Sequence, residues 1–178
     1  MTHSYKLEAI VLKRTNFFEA DRLVTVISKK HGKVVMIAKG VRKLTSRKKG
    51  HLELFTHVKL QVVKTKGFGI ITEAETITNF PTLRQNLNRV RISYLLAELV
   101  DKMTVEEQDH QEVFMLLLDS LTTLDSKTAT KNFIVDFETK LLELLGFGLP
   151  NPPITQQRLE SHISSITDHS LKSKKLHW

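Results

Sequence analysis

The sequence predicts an α+β chain in two parts, a small five-stranded β-barrel over residues 1–80 and an α-helical bundle over residues 81–178. Three observations predict it. Short, β-branched apolar runs with partial period-two alternation recur through the first half, with turn residues between them. Beyond Asn79-Phe80-Pro81 the apolar spacing becomes that of helices. The charge divides at the same place: residues 1–80 hold 16 Lys and Arg against 6 Asp and Glu, net +10, and the rest hold 11 against 13, net −2.

The first strand is expected over residues 5–15, partly alternating, and the second over 22–28, with Leu23, Val24, Val26 and Ile27 as its apolar members. A third, 34–38, follows the turn at His31-Gly32. The fourth is expected over 52–64, where Leu54, Val58, Leu60, Val62 and Val63 interleave with His57, Lys59 and Gln61. The turn Lys66-Gly67 then suits a hairpin into the fifth, 68–77. Five strands within about 75 residues fit a closed or nearly closed barrel of the oligonucleotide-binding (OB) type.

In the second half, Thr82-Leu83-Arg84-Gln85 reads as a capping box opening a helix that carries Leu87, Val90, Tyr94 and Ala97 on one stripe and Leu95, Leu99 and Met103 on another. Asp109 and Glu112 repeat the capping pattern before Phe114, Leu117, Leu118, Leu121 and Leu124. A third helix carries Phe133, Ile134, Phe137, Leu141, Leu144 and Leu145 and is expected to stop at Gly146, with Pro150, Pro152 and Pro153 forbidding continuation. A last helix from about Thr155 places Leu159, Ile163 and Ile166 on one face, ahead of the basic end Lys172, Lys174 and Lys175. Neither half contains an internal repeat.

Composition narrows the function classes. Apolar and charged fractions of 40% and 26% are those of a globular protein. The absence of cysteine excludes disulfides, thiol chemistry and cysteine-ligated zinc. No apolar run approaches the roughly 20 residues that span a bilayer, and the first residues lack the apolar core of a signal peptide. A cytoplasmic protein, not associated with membranes, is expected.

Little supports catalysis. The glycines of Lys66-Gly67-Phe68-Gly69 lie between expected strands and lack the Lys-Ser/Thr of a phosphate-cradling loop. Glu106, Glu107, Asp109 and His110 crowd together, but at a helix start, where acids are favoured by the macrodipole. The 8 histidines are scattered, and no serine sits in a nucleophile-elbow context. Neither an enzyme, a metal site nor a cofactor is expected.

Nucleic-acid binding has the stronger case. The apolar run 34–38 breaks at Gly40 into a loop carrying Arg42, Lys43, Arg47, Lys48 and Lys49, with Lys39 at its entry. Lys13, Arg14, Lys64 and Lys66 lie at expected strand ends able to border the same groove. Each cation that neutralises a phosphate releases a counterion, so the expectation is salt-dependent affinity with little sequence preference. Phe17, Phe18, Phe55 and Phe68 are the aromatics available for stacking, with Phe55 expected in the barrel core and Phe68 beside the turn as a DNA-binding candidate.

Residues 5–13, the segment Glu19-Ala20-Asp21-Arg22, and Gly32-Lys33-Val34 leading to Ala38-Lys39-Gly40-Val41-Arg42 resemble the N-terminal domain of the RecO family, bacterial recombination mediators of DNA repair. Residues 94–99, 137–147 and the ending 171–176 are similar to the family's helical half. The resemblance implies an OB domain that binds single- and double-stranded DNA, with Lys39, Arg42 and Lys43 as contacts, and a helical domain behind it. It implies annealing of complementary strands, association with RecR and with the acidic tail of single-strand-binding protein, and help in loading RecA. Segment 19–22 is expected to be a structural, salt-linked turn. Lys131 and Lys140 on the third helix are the candidates for docking that acidic tail. Two departures stand out: the four-cysteine zinc module of many members is absent, and the chain is shorter than typical members. A reading from another class is an RNA- or ribosome-associated OB protein with a helical platform.

Overall fold

The computed structural model describes residues 4–127 and 129–167. Five strands, β1 (Ser4–Phe17), β2 (Asp21–Ser28), β3 (Gly32–Ala38), β4 (His57–Val63) and β5 (Gly69–Thr78), close into a barrel in the order β1-β2-β3-β5-β4. β1 is long enough to serve two neighbours: Ser4 to Ile10 pair with β4, and Ala9 to Phe17 pair with β2. An irregularity between Val11 and Lys13 bends it between them. All pairings are antiparallel except β3 with β5, which meet in parallel only at Met36↔Gly69 and Ile37↔Ile70. This is the expected OB-type arrangement.

Alternation along the strands divides the apolar residues between two cores. Ala9, Val11, Val24, Val26, Met36 and Leu60 fill the barrel. Ile10, Leu12 and Ile27, one register position away, join a second cluster with Phe55 and the helices.

Those helices are α1 (Pro81–Arg84), α2 (Leu87–Met103), α3 (Gln111–Ser126), α4 (Phe133–Leu145) and α5 (Gln156–Thr167). α2 buries Leu95, Leu96, Leu99 and Val100, α3 buries Phe114, Leu117 and Leu121, and α5 buries Leu159 and Ile163. Gly146 ends α4 at φ +72°, its amide donating to the Glu143 carbonyl, as its position predicts. The basic end 172–175 lies outside the described residues.

Three local expectations are corrected. The fourth strand does not begin at residue 52: Lys49–Leu52 is a 3-10 turn, and the strand starts only at His57. Phe55 causes the delay, because its left-handed backbone (φ +67°) turns its ring out of the barrel to stand edge-on to Tyr94, centroids 4.9 Å apart. The Thr82-Gln85 capping box is not formed. Pro81 starts a separate single turn, Gln85 donates to the Thr82 backbone carbonyl, and Asn86 caps α2 by accepting from the Arg89 amide at 3.1 Å. Before α3, Asp109 Oδ1 accepts from the Gln111 amide at 3.2 Å, while the residue at the cap position, His110, makes no side-chain cap.

The chain turns from β5 to α1 through Phe80, and Arg84 fastens the junction. Its guanidinium donates to the carbonyls of Asn79 and Leu54 and, at 3.2 Å, to Thr56 Oγ1. Phe114 of α3 meets the His57 ring of β4 at 5.7 Å. Because Phe114 is fully buried where the helices meet the barrel, Phe114→Ala is expected to cost about 3–5 kcal/mol. It should lower the urea midpoints of helical and barrel signals together, and loss of one signal alone would contradict a shared core.

Candidate nucleic-acid interface

The basic loop between β3 and β4 is pinned to the barrel at several points. At its start, Gly40 takes φ +66° and donates its amide to Asp21 Oδ1 at 2.7 Å. The Arg42 amide donates to the Ala20 carbonyl at 3.0 Å, and its Nη1 to the Glu19 carbonyl at 2.9 Å and the Phe18 carbonyl at 3.4 Å. Farther on, Lys48 Nζ donates to the Ile71 carbonyl of β5 at 2.9 Å. Burial lowers the pKa of this lysine, opposed by the charge of Asp21. The 3-10 turn then meets β5, where His51 Nδ1 lies 2.8 Å from Thr76 Oγ1.

These anchors sort the expected contacts by what their charges are doing. Lys39, Lys43, Arg47 and Lys49 are exposed and, among the described residues, make no ion pair or side-chain hydrogen bond. Arg42 is exposed but occupied with the β1–β2 turn, and Lys48 reaches back to β5. Leu44, at the loop tip, is 94% exposed. Segment 19–22 is a structural turn, but among the described residues it forms no ion pair: Asp21 accepts from a backbone amide, and Arg22 Nε donates to Asn16 Oδ1 at 3.4 Å.

Of the cations expected at strand ends, two are already paired. Arg14 Nη1 lies 2.7 Å from Glu53 Oε1, and Lys13 Nζ lies 3.9 Å from Asp101 Oδ2 on α2. Lys64 and Lys66 are exposed in the β4–β5 turn, with Phe68 beside them 43% exposed. That turn enters β5 opposite Met36, whereas the basic loop leaves β3 after Ala38. The two sets of cations therefore stand at opposite ends of the short β3–β5 contact, alongside the half-buried Leu23, Val35 and Ile37.

Among the aromatics, Phe55 is buried, but between the barrel and the helices and not in the barrel core where it is expected, because its left-handed backbone turns the ring outward. Phe18 is 77% exposed at φ +50°, edge-on to Phe17 at 4.3 Å between centroids, with its carbonyl engaged by Arg42. A strained, exposed aromatic on the turn that Arg42 braces is an unusual use of a large apolar side chain. The Phe17-Phe18 pair ahead of an Asp-anchored turn is the sequence signal for it, but only the fold says which ring is out.

Elsewhere, Lys131 is exposed just before α4 rather than on it, and Lys140 on α4 lies 3.8 Å from Glu143. Glu106, Glu107, Asp109 and His110 occupy the α2–α3 loop. Among the described residues no group of three or more His, Asp or Glu side chains is arranged to hold a metal ion, and no helix is long and apolar enough to cross a membrane.

A closed five-stranded OB-type barrel with cationic loops, joined through a shared core to a helical half, is the class of protein these features define. The family model described as Recombination protein O N terminal matches residues 1–80, and that described as Recombination protein O C terminal matches residues 84–150. The chain belongs to the RecO family. It is 38% identical over 143 residues to the DNA repair protein RecO of Roseiflexus sp. (strain RS-1), covering 80% of this chain and 50% of that protein. It is 35% identical over 143 residues to the DNA repair protein RecO of Pelotomaculum thermopropionicum, 80% of this chain and 56% of that one. With the DNA repair protein RecO of Gloeothece citriformis it shares 31% over 156 residues, 88% of this chain and 55% of that protein. The chain thus spans about half the length of the curated relatives it matches.

The anchoring is testable in the free protein. Asp21→Ala removes the acceptor of the Gly40 amide and is expected to cost about 1–2 kcal/mol in urea unfolding. It should also abolish hydrogen-exchange protection at Gly40 and Arg42. Unchanged protection would show that Asp21 does not hold the loop.

Proposed function

We propose that this chain acts in DNA repair and recombination as a mediator that grips single- and double-stranded DNA through its barrel. The observation that carries this reading is the set of four exposed, unpartnered cations, Lys39, Lys43, Arg47 and Lys49, on a loop immobilised by Asp21, Arg42 and Lys48. Fixed cations neutralise phosphates without first having to be ordered, and the released counterions drive binding. Lys64, Lys66 and Phe68 extend the grip past β3, and Phe18 supplies a face on which a base stacks.

Annealing follows from the same charge. Two strands whose phosphates are neutralised on one surface stay side by side long enough to pair. In this reading residues 1–80 form the DNA-binding domain and 81–178 the helical domain, which meets protein partners. Those are RecR, the acidic tail of single-strand-binding protein near Lys131 and Lys140, and, indirectly, RecA during loading on coated DNA. The chain works in the cytoplasm and by binding alone, with no bond-making step of its own.

The test is equilibrium binding across a salt series. Changing Lys39, Lys43, Arg47 and Lys49 together to Ala is expected to flatten the slope of log K against log salt for a single strand by about 3. The same variant should lose acceleration of annealing between two complementary strands. An unchanged slope removes the loop from the interface, and absence of DNA binding at low salt overturns the reading. Binding without annealing, together with preference for structured RNA, would favour the RNA-associated reading instead.

Phe18→Ala separates stacking from charge. It is expected to weaken single-strand binding by about 5- to 100-fold while leaving the salt slope unchanged. Equal affinity of variant and wild type would show that the exposed ring meets no base.

A further inference from the structure

We propose that the slot where β3 and β5 part is a nucleobase subsite that prefers guanine, a proposal resting on the DNA-binding reading above. Because β5 pairs with β3 only at Met36 and Ile37, residues 33–35 lie beyond its reach. The α2–α3 loop takes its place: the Glu107 amide donates to the Lys33 carbonyl at 3.0 Å, and Glu106 bridges Lys33 in parallel. Gly32 permits the approach, since a side chain there would place its Cβ 1.6 Å from the Gln108 carbonyl oxygen. The helical half therefore contributes one wall of an opening in the barrel.

Between this loop and the β4–β5 turn lies a cavity of about 330 Å³, with Tyr5, Val35 and Phe68 on its apolar sides, Glu106 and Glu107 on another, and Lys64 among its lining. That volume falls at the small end of ligand sites, roughly 300–1,000 Å³. Both glutamates are exposed, and neither carboxylate makes an ion pair or a side-chain hydrogen bond among the described residues, although Lys64 borders the same space. Burial, reinforced by the charge of Glu107, raises the pKa of Tyr5.

Two unpaired carboxylates are the wrong groups to meet a phosphate, so the slot excludes the strand's backbone, which Lys64 and Lys66 hold outside. They are suitable groups to meet a base. Carboxylates only accept hydrogen bonds, and guanine presents two adjacent donors on its Watson–Crick edge, the N1–H and the 2-amino group. Adenine and cytosine present one amino group there and thymine one imino group. Phe68 and Val35 supply the flat apolar contact that a splayed-out base requires.

The test uses the whole chain and single strands of roughly 12–16 nucleotides, all thymidine, or with one central deoxyguanosine or deoxyinosine, which lacks the 2-amino group. Wild type is expected to bind the guanine-containing strand about 5- to 10-fold more tightly than the all-thymidine strand, with inosine between. The double variant Glu106→Ala, Glu107→Ala, which removes both acceptors, should bind all-thymidine at least as tightly as wild type, having lost two negative charges, while the guanine preference disappears. Matching thermal unfolding of both proteins confirms that the variant is folded. All-thymidine binding with no guanine preference in wild type overturns the slot alone, as it would if the carboxylates hold a basic peptide. A preference that persists in the double variant also overturns it. No binding to any strand at low salt overturns the slot and the DNA reading together.

Discussion

The alternation of side chains along β1 ties the two halves of this protein together. Ala9 and Val11 point into the barrel, so Ile10 and Leu12 must point out. With Ile27 on the neighbouring strand they make an apolar outer surface that water would otherwise wet, and the helices cover it. Phe55 abandons the strand direction to join them, and Arg84 satisfies the Leu54 carbonyl and the Thr56 hydroxyl beside it. The helical half is thus positioned by the barrel's second face, and its α2–α3 loop falls where β3 lacks a partner.

The same economy governs the cations. A loop of six Lys and Arg residues would repel itself and sample many conformations if all of them were free. Arg42 and Lys48 instead spend their hydrogen bonds on backbone carbonyls of the β1–β2 turn and β5, and Asp21 takes the Gly40 amide. The remaining cations are presented on a fixed frame. Arg14 and Lys13 illustrate the opposite fate: equally basic in the sequence, they face acids on neighbouring segments. Charge counting cannot separate these groups, because the separation depends on which carboxylate or carbonyl the fold brings within reach.

Two segments depart from their local sequence pattern, each for an identifiable reason. The stretch 52–56 alternates well enough to pass for a strand, but packing of Phe55 against Tyr94 outweighs the strand preference. The capping box at Thr82 has the right residue types, yet Pro81 starts its turn earlier and Asn86 caps α2 instead. In the first case a weak local preference yields to a tertiary contact, and in the second to stronger local signals, a proline at the helix start and an asparagine cap.

The strands' alternation, the helical stripes, the Gly146 stop and the concentration of positive charge before residue 80 were all determined by the sequence alone, because they are periodic or compositional and need no partner to be seen. The OB-type strand order was open to inference from strand count and charge, and the RecO family from segments in order. Only the tertiary structure decided that Phe18 is out, that Phe55 packs against the helices and not inside the barrel, and that Lys43 is free while Lys48 is tethered. It alone brought Glu106 and Glu107 beside Phe68. Those are contacts between residues distant in the chain, and their partners follow from how the barrel closes rather than from any local pattern.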